Sequence, residues 1–135
     1  MAADLSDIRT AIRAVLTGSS ALSTLLGGSD RIFYGRVRKA AVLPSVVMFD
    51  AGTRPDVTVP LHVRTLTVEI FANNYDQAEE IAKTIRGLLD GTPPNPGASW
   101  RMNVFHFSAE REAPVEEGDI VNKSLDFSYS AYDIT

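Results

Sequence analysis

The chain contains no cysteine. That excludes disulfides, thiolate nucleophiles and thiolate metal sites, and it fits a reducing compartment. Histidine is nearly as scarce, with only His62 and His106. Neither stands in a ligand spacing, whereas a zinc site needs three or four convergent donors. Both read as structural or surface residues. Positive charge is in deficit: 13 basic against 17 acidic residues give a net charge of −4. Phosphate neutralisation dominates nucleic-acid affinity, so an acidic chain without a basic block argues against direct nucleic-acid recognition. Long apolar runs are missing too; Val46 to Phe49 is typical of those present. A bilayer-spanning helix needs about 20 apolar residues, so no membrane partner is expected. The segment Met1 to Asp7 carries two acids and no base, unlike the basic start of a secretory signal.

Catalytic patterns are absent as well. No GxSxG elbow, HxxxH pair or calcium-binding loop occurs. Gly18-Ser19-Ser20 and Gly27-Gly28-Ser29 lack the Lys-Ser/Thr ending of a phosphate loop and read as a helix stop and a turn. The expectation is a non-enzymatic protein with no cofactor and no metal.

What remains is material for a core. The chain has 135 residues and a hydrophobic fraction of 44%, which suits one soluble domain spanning 1–135. Leu5, Ile8, Ile12, Val15 and Leu16 recur at helical spacing, with Asp4 as a cap. A short helix from Ser20 to Leu26 stops at Gly27 and Gly28. Arg31 to Tyr34 suits an edge strand. Pro44 leads into Val46 to Phe49, apolar on both faces as in a strand covered on both sides. His62 to Ala72 alternates Leu66, Val68 and Ile70 with Thr65, Thr67 and Glu69, the period of a strand.

The clearest helix is Tyr75 to Leu89. Asn74 caps it, Gln77 completes a capping box, and Glu79 and Lys83 form an exposed pair four residues apart. Gly91 and the prolines at 93, 94 and 96 stop it. Trp100, Met102 and Val104 then share a face before the apolar phase moves to Phe105 and Phe107. A bulge near Val104 and burial on both faces explain this shift equally well. Leu125, Phe127, Tyr129 and Ala131 alternate with small polar residues in a last, half-buried strand. Together these elements predict an α+β fold: a mostly antiparallel sheet with helices packed on one face.

Three segments stand out as contact surfaces. Arg36, Arg38 and Lys39 follow the edge strand, where charge discourages unwanted strand pairing or meets an acidic neighbour. Glu110, Glu112, Glu116, Glu117 and Asp119 surround Pro114 and Gly118 and suggest a solvated acidic loop; the alternatives are a paired-carboxylate site, which would need two of them fixed beside a substrate cleft, and an acidic contact surface. The connection from Ala51 to Leu61 is long for a hairpin. It carries Arg54 and Asp56, then Val57, Val59 and Leu61 in alternation. Those apolar residues either fold back on the chain's own sheet or form an arm buried by another chain. The basic segment of one copy and the acidic segment of the next would make a head-to-tail contact.

The order of these pieces resembles that of bacteriophage tail terminator, or tail-completion, proteins. The resemblance rests on the opening helix before Arg31-Ile-Phe-Tyr-Gly35, then Leu43-Pro-Ser-Val-Val-Met-Phe49, and a long connection into Val63 to Ala72. The helix Asp76 to Leu89 follows directly, and a strand pair closes the pattern. It implies a virion protein of the tail or neck, assembled in the host cytoplasm. As implied by the resemblance, copies form a hexameric ring on the tail tube protein, end tube polymerisation and offer a surface to head connector proteins. Two other readings stand beside it: a head–tail connector or head-completion protein, and a small ligand-binding α+β module using the polar faces of Thr65, Thr67 and Ser124 to Ser130.

Overall fold

The computed structural model describes residues 5–28, 31–34, 43–52, 61–90, 100–114 and 120–133. Amphipathic periodicity sets its helical layer. Helix α1 (Leu5–Thr17) turns Ile8, Ile12 and Leu16 inward, where all three are fully buried, as their four-residue spacing requires. Helix α2 (Ser20–Leu26) is capped by Ser19, whose hydroxyl accepts from the Leu22 N–H at 3.2 Å. Gly27 ends it in the left-handed region at φ 83°. A side chain there would be strained, and a Cβ would press on the Arg31 guanidinium 3.1 Å away.

Helix α3 (Tyr75–Leu89) occupies the bounds that its periodicity and flanking signals predict. The Asn74 side chain accepts from the Gln77 N–H at 2.8 Å. Gln77 reaches one residue further back than a capping box would: its Oε1 accepts from the Asn73 N–H at 2.9 Å and from the Asn73 amide at 3.2 Å. The cap therefore spans two asparagines. Asn74→Ala should destabilise the protein by about 1 kcal/mol and lower Tm by roughly 3–5 °C. An unchanged melting temperature would show that the cap contributes nothing.

The described residues form six strands, in chain order β1 (Ile32–Tyr34), β2 (Ser45–Gly52), β3 (Leu61–Ala72), β4 (Trp100–Met102), β5 (His106–Pro114) and β6 (Val121–Asp133). The spatial order is β1-β2-β3-β6-β4, with β5 also on β6. β1 runs parallel to β2, and every other pair is antiparallel. β6 pairs with β3 from Val121 to Tyr132. Its other side is shared: β5 takes Val121 to Ser128 and β4 takes Ala131 to Asp133. β4 and β5 are thus one edge interrupted in the middle.

That interruption explains the apolar phase shift. The Asn103 N–H still reaches the Ser130 carbonyl at 2.9 Å, but Phe105 leaves the ladder and is fully buried. The register slips again between Phe107 and Ala109, so Phe107 and Glu110 both point to the helical side. Burial on both faces is not the cause, because His106 and Ser108 are exposed.

The core lies between helices α1, α2 and α3 and one face of the sheet. Met48, Leu66, Ile70, Leu125 and Phe127 meet Ile8, Leu22, Ile81 and Ile85 there, all fully buried. Phe105 stacks on Tyr129 with centroids 4.4 Å apart, and Phe107 meets Phe127 edge-on at 5.7 Å, both favourable aromatic geometries. β2 is buried on both faces only in part: Val46, Val47 and Met48 are covered, but Phe49 is 37% exposed. The two-sided burial read from its sequence stops at Met48.

Candidate assembly surfaces

The edge formed by β5 concentrates carboxylates. Alternation along β6 turns Lys123 to the same face as Leu125 and Phe127, and its side chain is only 3% exposed. A buried ammonium is costly unless paired. Here Glu79 of α3 accepts a hydrogen bond from Nζ, Glu110 of β5 lies at 2.8 Å and Glu112 at 3.6 Å. Burial alone would lower the pKa of Lys123. The hydrogen bonds and charges of Glu110 and Glu79 outweigh it and hold the pKa above the ordinary lysine value of 10.5. Beside this cluster, Arg86 lies over the Phe107 ring, 4.0 Å from its centroid.

Several expectations change here. Glu110 and Glu112 belong to strand β5, not to a solvated loop; Pro114 ends that strand instead of marking a turn around it. Glu79 pairs with Lys123, which lies 44 residues away in sequence, and not with Lys83. Lys123 itself has no place among the residues singled out from sequence. Its signal was its phase with Leu125, Phe127, Tyr129 and Ala131, which put a lysine on the core face. The other singled-out residues, Arg36, Arg38, Lys39, Arg54, Asp56, Val57, Val59, Glu116, Glu117 and Asp119, lie outside the described residues.

The β1 edge carries the opposite sign. Arg9 lies over the Tyr34 ring at 5.5 Å, Arg13 donates to the Ile32 carbonyl at 3.4 Å, and Arg31 donates to the Leu26 carbonyl at 2.6 Å. Among the described residues, none of these arginines has a carboxylate within ion-pair distance.

The face of the sheet away from the helices is polar and knit together. The Thr67 hydroxyl donates to Asp126 at 2.8 Å, Arg111 pairs with Asp126 at 3.0 Å, and the Asn103 amide donates to the Ser130 hydroxyl at 2.6 Å. Those groups satisfy one another. Around them stand Val63, 50% exposed, with Tyr132 and Phe49 at 38% and 37%. At the gap between β4 and β5 a shallow groove is lined by Val63, Asn103, Val104, His106, Ser128 and Ser130. Among the described residues, no three His, Asp or Glu side chains form a metal-ion site, and no helix is long and apolar enough to cross a membrane.

The same fold occurs in a solved virion particle. A chain of a solved structure described as the virion of a native gene transfer agent (GTA) particle superposes with a TM-score of 0.79. At 16% identity, the match covers 93% of this chain and 94% of that one. A family described as tail completion protein gp17 matches residues 10–131, nearly the whole sequence, and the chain belongs to that family. It is therefore a structural protein of the phage tail or neck. No curated protein matches it.

Proposed function

We propose that copies of this chain assemble into a hexameric ring that caps the tail tube, ends tube polymerisation and forms the joint with the head. Family membership supplies the setting. The observation that carries the reading is the placement of charge: arginines without described carboxylate partners at one sheet edge, and surplus carboxylates at the other. Such edges suit contact between chains. A cap also needs one face that accepts the tube end and another that admits no further tube subunit, and neither task calls for a catalytic group.

The test is absolute mass in solution by light scattering, followed by negative-stain imaging alone and with purified tail tubes. Six-fold rings seated on tube ends are expected. Binding to the portal side with no affinity for tube ends would replace the cap reading with that of a connector. A monomer that binds neither would overturn the ring.

A further inference from the structure

The sheet places its two charged edges at opposite ends of one layer. β1 is one edge and the β4/β5 line the other. Four inter-strand steps of about 4.8 Å separate them by roughly 19 Å. The chain segments building these edges differ in sign. Among the described residues, 5–28 and 31–34 hold three basic residues, Arg9, Arg13 and Arg31, and one acidic, Asp7; at the β5 edge three carboxylates, Glu79, Glu110 and Glu112, stand around the single ammonium of Lys123. The described side chains follow that division. Arg9 and Arg13 of α1 are exposed beside β1. Glu79, Glu80 and Glu110 line a groove between α3 and β5, and Glu112 continues it, half exposed. The cations of the β5 edge are largely engaged: Lys123 is enclosed, Arg86 covers Phe107, and Arg111 is paired with Asp126. Lys83 is the exception.

We infer that the β1 edge of one copy, through Arg9 and Arg13 of α1, docks on the β5 edge of a second copy, through the Glu80 and Glu112 side of its carboxylate groove. Charge complementarity selects both the occupant and the orientation. A two-fold pairing of either edge with itself would bring like charges together. A head-to-tail contact brings opposite charges together at every joint, and a heterologous contact of this kind closes into a ring when the rotation allows. Glu112 already stands 3.6 Å from the Lys123 ammonium, so that part of the docking surface is pre-formed and loses little side-chain order on contact. This contact rests on the ring reading above and gives it a geometry.

Two charge-reversed chains test it. R9E/R13E makes both edges acidic, and E80K/E112K makes both basic; Glu79 and Glu110, the two carboxylates nearest Lys123, are untouched, and only the more distant Glu112 of that cluster is reversed. Each variant alone should assemble only at roughly tenfold higher concentration or above, read by light scattering at low salt. An equimolar mixture should recover wild-type mass, because every joint in an alternating ring is again complementary and a six-membered ring contains an even number of joints. A single chain carrying all four reversals should also assemble. Thermal melts confirm that each variant is folded, and E80Q/E112Q, which should weaken assembly less, replaces E80K/E112K if that chain unfolds. Variants that assemble alone like the wild type, or folded variants that do not recover on mixing, would overturn this contact while leaving the ring standing. A wild-type chain that stays monomeric with and without tail tubes would remove the ring itself.

Discussion

Phe127→Ala should cost about 3–5 kcal/mol, the range for removing a fully buried aromatic ring. Phe127 is completely buried near the middle of β6. It sits opposite Leu66 on one side and Phe107 on the other, and its ring also approaches Phe105 at 6.5 Å. Truncation therefore opens a cavity where β3, β5 and the segment between β4 and β5 meet. Neighbouring strands cannot close that space without shifting the ladder. Against a total stability of about 5–15 kcal/mol, the loss removes a large share. Urea unfolding should show a lower midpoint with an unchanged slope. Phe127→Leu, which keeps most of the volume, should cost about 1.5 kcal/mol or less. An alanine variant as mild as the leucine variant would mean that this part of the core is not tightly packed.

Lys123→Ala should be the second most damaging change, at about 2–3 kcal/mol. Breaking a fully buried ion pair costs about 3–5 kcal/mol. The carboxylates left behind reach water, however: Glu79 is 60% exposed, Glu110 35% and Glu112 50%, which reduces the penalty. Lys123→Met keeps the apolar stem and should cost about 1–2 kcal/mol. The pH dependence has a definite sign. The folded pKa of Lys123 is raised above 10.5, so the folded state holds its proton more tightly than the unfolded chain does. That stabilisation is fully present below pH 10.5 and is lost as pH rises through the higher folded value. The stability gap between wild type and Lys123→Met should stay level from neutral pH to that point and shrink beyond it. A gap that closes well below pH 10 would show that another group is responsible.

Local signals in the sequence were enough for the elements that end sharply. α3 has a cap, an apolar stripe and a cluster of prolines, and its observed bounds match them. The half-buried character of β6 was visible in its alternation. What stayed hidden depends on contacts between distant segments. Glu79 has an obvious partner four residues on, yet its real partner comes from β6. Glu110 and Glu112 carry the composition of a loop, because strand membership there is set by pairing with β6 and not by local propensity. Lys123 was in phase with the core, but a lysine in that phase makes sense only once three carboxylates from two other elements surround it. The apolar shift after Val104 was legible as an irregularity; its form, a broken edge resuming on the same partner, was not.

The strand that comes sixth in chain order sits between β3 and the broken edge. During synthesis, β3, β4 and β5 therefore leave the ribosome with no strand to share. Until β6 appears, one edge of β3 and the inner edges of β4 and β5 are unpaired, and the apolar faces of α3 and β3 lack Leu125, Phe127 and Tyr129. The β1-β2-β3 sheet can pair before β6 is made, but the β4/β5 edge cannot join it until β6 lies between them. Folding waits for one late insertion that joins two half-built edges at once, and a nascent chain stalled before Val121 is an aggregation-prone intermediate with open strands on both sides of the vacant position.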